Sequence, residues 1–179
     1  MTERKGVTTF KGKPMTLVGN EVHAGDKAPD FEVTDNSMNP VKFSSFLGKT
    51  IIISSVVSLD TPTCDTETHR FNESAGKLGS DVAILTISKD LPFAQKRWCG
   101  AANVKQVITL SDYKNTDFGQ KYGVVLKEWN LLARALFIVD KTGVIRHVHY
   151  LKEISEQPDY DLILKETQQL LKSPAGSTK

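Results

Sequence analysis

Cysteine is scarce in this chain, with two in 179 residues. That excludes a disulfide-stapled scaffold, and without help from histidine it excludes the usual Cys-rich zinc set. Charge of one sign is lacking too. The 23 basic and 21 acidic residues leave a net charge of +2, too little to argue for nucleic acid or an anionic membrane surface as a partner. No stretch approaches the ~20 apolar residues of a membrane span. The opening MTERKGVTTFKGKP has no apolar core of a secretory signal. The expected location is therefore cytoplasmic, where thiols are kept reduced. In that compartment two cysteines are either inert or a redox couple. Composition is otherwise ordinary, with 39% apolar and 25% charged residues. The length fits a single domain over 1–179, with SPAGSTK, from about 173 to 179, as a flexible tail.

The pattern alternates between strand and helix. VTTFKGKPMTLVG holds two β-like runs around Gly12-Lys13-Pro14, which predicts an N-terminal hairpin. FEVT and VKF flank the turn signal DNSMNP. TIIISSVV, from Thr50 to Val57, is a continuous β-branched run, as in a strand buried on both faces. DVAILTIS and QVITL repeat that character, ARALFIVD-KTG-VIRHVHY reads as a second hairpin, and DYDLILKETQQLLK as a closing amphipathic helix. The fold class is α/β, with a mixed central β-sheet flanked by helices.

One cysteine sits at a helix head. In SLDTPTCDTETHRFN, Thr61 suits an N-cap, Pro62 the first helical position and Cys64 the third. Cys64, Thr68, Phe71, Ala75 and Leu78 share one helical face, and Gly79 suits the stop. A free thiol titrates near ~8.5, and the thiolate is the nucleophile. The unpaired N–H groups and positive dipole end of a helix head favour that anion, as would a nearby Arg. The residues alone leave two readings open, because a free Cys on an apolar face is also an ordinary small hydrophobe. Cys99 lies 35 residues further on, which is not the C-x-x-C of a dithiol exchanger. DLPFAQKRWCGA reads as a short helix beginning at Asp90 or Leu91, with Gly100 past its end. Cys99 there either fills space beside Trp98 or belongs to a segment that loosens with ease.

Three strings then stand together: SLDTPTCDTETHRFN, TISKDLPFAQKRWCG and NLLARALFIVD. In order and spacing they resemble the bacterial thiol peroxidases of the Tpx type, a branch of the peroxiredoxins, over about Val7 to Lys172. The resemblance implies a thioredoxin-like fold with an added N-terminal β-hairpin. It implies that Cys64 is the peroxidatic cysteine, oxidised by hydroperoxides to a sulfenic acid, and that Cys99 resolves it into an intramolecular disulfide. Thioredoxin would reduce that disulfide. The resemblance further implies a homodimer and needs no metal, haem or flavin. Thr61 matches the motif threonine that orients peroxide. Arg134 matches an arginine that stabilises the thiolate, although by residues alone it could be a strand-end side chain reaching water. A non-enzymatic peroxide sensor on the same fold is the alternative function.

Two positions depart from the family's pattern. The Pro of P-x-x-x-T-x-x-C is Val57 here, which supplies apolar cover without the fixed φ. Thr63 stands where Val or Ile is usual. His147 and His149 alternate along one strand, but no third ligand completes a metal set. Trp129, in KEWNLLAR, suits either the core or an apolar cover over the active site or dimer interface.

Overall fold

A computed structural model describes residues 1–173 of the chain; the tail expected from about 173 lies, from 174 onward, outside the described residues. β1 (Glu3–Phe10) and β2 (Lys13–Val18) form the expected hairpin. Its two turn residues, Lys11 and Gly12, both have positive φ, at 48° and 78°, which suits the right-handed twist of the strands. β3 (Glu32–Thr34) and β4 (Pro40–Lys42) follow, then β5 (Thr50–Ser55), α1 (Pro62–Leu78), β6 (Val82–Ser88), α2 (Pro92–Ala102) and β7 (Ile108–Ser111). After the short α3 (Asp117–Lys121) come β8 (Val125–Leu126), β9 (Leu131–Leu132), β10 (Ala135–Val139), β11 (Ile145–Tyr150) and α4 (Tyr160–Lys172).

Seven strands make the central sheet in the order β11-β10-β5-β6-β7-β3-β4. β5, β6 and β7 run parallel, through the crossovers that α1 and α2 provide, and the remaining pairs are antiparallel. This is the mixed α/β architecture that the alternating pattern leads one to expect.

The β-branched run explains the layering. Side chains alternate along a strand, so Ile52 faces Phe71, Ile84 and Ile163 under α1 and α4. Ile51 and Ile53 face Phe31, Phe118, Tyr122 and Phe137 on the other side. All three isoleucines are fully buried, and each such side chain stabilises the fold by about 1.5–3 kcal/mol. A third cluster sits beyond the carboxyl end of β5, where Val56, Val57, Leu59 and Cys64 meet Met15 and Leu17 of the hairpin. Ends of this kind are where open α/β sheets place their sites.

The hairpin does not stand alone. β2 pairs with β8 and β8 with β9, giving a second sheet ordered β1-β2-β8-β9. Strands of two residues are too short to show a period, so KEWNLLAR gives no sign of this sheet in the sequence.

Two boundaries differ from expectation. α2 runs through Gly100 to Ala102 and ends at Asn103, whose left-handed φ of 54° closes the helix. Cys99 therefore lies inside the helix, not at its end. Arg134 lies just before β10, not within it.

Candidate active site

Thr61 ends the loop after β5 with extended backbone angles, φ −83° and ψ 140°, and caps α1. Its Oγ1 accepts from the Cys64 N–H at 3.3 Å and donates to the Ser58 carbonyl at 2.9 Å. Pro62 occupies the first turn, where a missing N–H costs nothing. Cys64 thus takes the predicted helix-head place, and its side chain is fully buried.

Arg134 reaches the same sulfur. Its Nη2 donates to Cys64 Sγ at 3.0 Å and its Nε to the Ile154 carbonyl at 2.9 Å. Its Nη1 donates to Glu67, whose other carboxylate oxygen accepts from Ser54 Oγ at 2.6 Å. Arg134 is 2% exposed and Glu67 0%. A guanidinium in so dry a place needs all of its partners, because an uncompensated buried ion costs several kcal/mol. Burial works against the charge on Arg134, but the electrostatic and hydrogen-bonding attraction of Glu67 and Cys64 outweighs it and holds the guanidinium above its usual range. Burial pushes the Glu67 carboxyl up, with Arg134 and Ser54 opposing without cancelling it.

Glu67 is absent from the sequence reading. One signal was there: Glu67 stands three residues after Cys64, on the buried side of α1. Asp90 was read only as a helix start. It is a hub instead, accepting from Ser58 Oγ at 2.7 Å, the Leu59 N–H at 2.8 Å and Ser88 Oγ at 2.7 Å. Those bonds tie the loop before Cys64 to the end of β6.

Cys99 is not brought into contact with Cys64, and both thiols are free. Cys99 Sγ lies 3.2 Å from Thr109 Oγ1 on β7 and 3.9 Å from Asn36 Nδ2. Between the two sulfurs the helices are joined by the residues next to each, for Trp98 Nε1 donates to Asp65 Oδ1 at 2.9 Å.

A cavity of about 380 Å³ opens beside the buried sulfur. Thr61 and Arg134 supply its polar end, and Phe10, Val57, Trp129 and Ile154 its apolar walls. The Phe10 and Trp129 rings meet edge to face with centroids 4.8 Å apart. Trp129 is thus part of a cover over this site. Val57, in place of the expected Pro, is 7% exposed and forms part of the same wall. Among the described residues there is no cluster of three or more His, Cys, Asp or Glu placed to hold a metal. None of the described helices is long and apolar enough to cross a membrane.

The arrangement brings together a buried thiol, a guanidinium, a hydroxyl and an apolar-walled opening. Comparison with known proteins bears on the family. The family model described as Redoxin matches residues 23–164. A thiol peroxidase of Oceanobacillus iheyensis is 51% identical over 156 residues, covering 87% of this chain and 94% of that protein. The thiol peroxidase of Bacillus subtilis is 48% identical over 164 residues, covering 92% and 98%. A solved structure of a peroxiredoxin-like protein from Aquifex aeolicus superimposes with a TM-score of 0.86 at 38% identity, over 93% of this chain and 97% of that one.

Proposed function

The chain belongs to the Redoxin family and, within it, to the thiol peroxidases of the peroxiredoxin type, and on that premise we propose that Cys64 and Cys99 form its catalytic pair. In this proposal the Cys64 thiolate attacks the terminal oxygen of a hydroperoxide. An S–O bond forms as the O–O bond breaks, and the electron pair leaves on the departing oxygen. That oxygen takes a proton from solvent in the open cavity and departs as water or an alcohol. Cys64 is left as the sulfenic acid.

The observation that carries the proposal is the 3.0 Å bond from Arg134 Nη2 to Cys64 Sγ at the head of α1. Cation and helix head together favour negative charge on the sulfur. Thr61 lines the same cavity as Arg134, and in this proposal its hydroxyl oxygen accepts from the O–H of the peroxide. The same guanidinium stabilises charge as it builds on the peroxide oxygens. The apolar walls suit organic hydroperoxides as well as hydrogen peroxide.

The second half of the cycle is Cys99 attacking the Cys64 sulfenic acid. A disulfide forms and water leaves. The Asp65–Trp98 bond and the Thr109 contact hold Cys99 elsewhere, so α2 must open first. Thioredoxin then reduces the disulfide. A homodimer in the cytoplasm, where thiols are kept reduced, completes the proposal.

NADPH consumption coupled through thioredoxin reductase and thioredoxin tests it. Wild type is expected to turn over with peroxide. Cys64→Ser should reduce none, and Cys99→Ser should complete one oxidation and recycle poorly. Full turnover by Cys64→Ser would overturn the assignment.

A further inference from the structure

The turn of the N-terminal hairpin reaches the segment between β11 and α4, and one carboxylate joins them. Glu153 Oε2 accepts from Thr9 Oγ1 at 2.6 Å and the Gly12 N–H at 3.1 Å. Glu153 Oε1 accepts from the Lys11 N–H at 2.9 Å, the Ser155 N–H at 3.1 Å and Ser155 Oγ at 2.6 Å. Three donors come from the hairpin and two from the segment. The Ser155 and Thr9 hydroxyls, with the backbone donors behind them, hold the Glu153 carboxyl well below the usual carboxylate range. Among the described residues, no other side chain near the hairpin gathers so many donors from two separate stretches of chain.

Two of the residues that supply these donors, Lys11 and Ser155, also line the cavity, and the other two, Thr9 and Gly12, adjoin lining residues in the chain. Phe10 and Lys11 are wall residues on the hairpin side, and Ile154 and Ser155 on the segment side. Ile154 N–H donates to the Thr9 carbonyl at 2.9 Å, so the two walls meet directly behind the carboxylate. Main-chain bonds fix β1 as far as Thr9, whose N–H donates to the Lys152 carbonyl at 2.8 Å; past it, among the described hydrogen bonds, the turn residues Lys11 and Gly12 reach the segment through Glu153 alone. β1 is the outer strand of its sheet, and its register with β2 slips between Lys5 and Thr8. A bulge bends its strand and breaks the ladder locally, so the far end of β1 depends more on its contacts outside the sheet.

We propose that Glu153 is a positioning residue that fixes the hairpin wall of the cavity, and so sets the preference for bulky apolar hydroperoxides over hydrogen peroxide. The inference rests on the cavity being the route by which peroxide meets Cys64. Hydrogen peroxide is all polar head, and Thr61 and Arg134 are enough to receive it. An organic hydroperoxide also has an apolar tail, which is bound by Phe10, Trp129 and Ile154 only if those walls hold still. A wall that must be ordered on binding takes its entropy out of the affinity for the tail, not for the head.

The test is the ratio of kcat/KM for cumene hydroperoxide to that for hydrogen peroxide, with thioredoxin recycling. It is measured on wild type, Glu153→Ala, Glu153→Gln and Phe10→Ala. The ratio should fall about fivefold or more in Glu153→Ala, through KM for cumene hydroperoxide. Glu153→Gln keeps the shape but turns an N–H₂ toward N–H donors, and should fall less. Phe10→Ala should fall at least as far as Glu153→Ala. A purely structural role would lower the unfolding temperature and leave the ratio alone. If the ratio stays within about twofold of wild type in both Glu153 variants while Phe10→Ala lowers it, the inference is overturned. Should Glu153→Ala fail to fold, Glu153→Gln and Thr9→Val decide by the same criterion. A wild-type protein that reduces neither peroxide sinks the peroxidase proposal itself, a result distinct from an unchanged ratio.

Discussion

Replacing Arg134 with Met separates what the guanidinium does for the reaction from what it does for the fold. Met has similar length and no charge, so packing is largely kept. The lost bond to Cys64 Sγ is 3.0 Å long, between a 2% exposed cation and a 0% exposed sulfur. Donors aimed at developing charge in so dry a site contribute about 3–4 kcal/mol to the transition state. The single-turnover rate of the reduced enzyme with peroxide should therefore fall roughly 10²–10³-fold. Stability responds differently. Removing one partner of a buried ion pair costs about 3–5 kcal/mol, unless the survivor neutralises itself. Glu67 has that escape, because burial already pushes its carboxyl up and the replacement removes the opposing Arg134.

The sign of the pH dependence follows. A carboxyl whose value is raised on folding holds its proton more firmly in the native state. Below its ordinary value of 4.5 both states are protonated and the deficit is small. As pH rises from there towards the raised native value, stability is lost at about 1.36 kcal/mol per unit. Wild type carries the same kind of loss, because its own Glu67 carboxyl is already raised, so in urea unfolding the deficit of Arg134→Met against wild type should be smallest in acid and grow only as pH rises past the point where the wild-type Glu67 gives up its proton. Adding Glu67→Gln should restore much of the stability at neutral pH and none of the rate. Stopped-flow tryptophan fluorescence reports the rate. A single variant within about threefold of the wild-type rate, or a double variant that regains it, refutes the reasoning.

Two further outcomes are expected. Val57→Pro stiffens the cavity wall in the loop before Thr61 and should raise kcat/KM for peroxide about two- to threefold; an unchanged or lower value counts against preorganisation of that loop. Asp65→Ala removes the acceptor of Trp98 Nε1. It should speed disulfide formation after a peroxide pulse by about threefold and reduce sulfinic acid at Cys64 by mass spectrometry; a slower disulfide would show that the bond does not hold α2 shut.

The parts of the molecule that follow a period were legible in its residues. TIIISSVV is a strand because β-branched side chains fill both faces, and Thr61-Pro62 opens a helix because one residue caps it and the other needs no donor. The second hairpin, Ala135–Val139 with Ile145–Tyr150, announced itself by its KTG turn. The second sheet did not, since Val125–Leu126 and Leu131–Leu132 are two residues each and hold together only by tertiary pairing. Gly100 looked like a helix stop, yet the carbonyl-satisfying turn falls at Asn103. At the site, Cys64 and Thr61 carry a local signature, Arg134 is named only through the resemblance of NLLARALFIVD, and the carboxylates Glu67 and Asp90 carry no such mark. Cys64 and Thr61 mark a helix head. Glu67 and Asp90 look like ordinary surface carboxylates until the fold closes over one of them and threads a loop onto the other.

The Cys64 sulfur shows no surface to water, while its neighbours Thr61 and Arg134 do face the cavity. Such burial admits a narrow reactive end, whatever apolar tail stays behind it in the cavity. A pair of bonded oxygens can slip past side chains that a tripeptide thiol such as glutathione cannot, so under the proposed cycle the oxidised sulfur is shielded from the cell's abundant small thiols. Its only ready rescuer is then the chain's own second cysteine, and the fate of each oxidation is decided within one molecule.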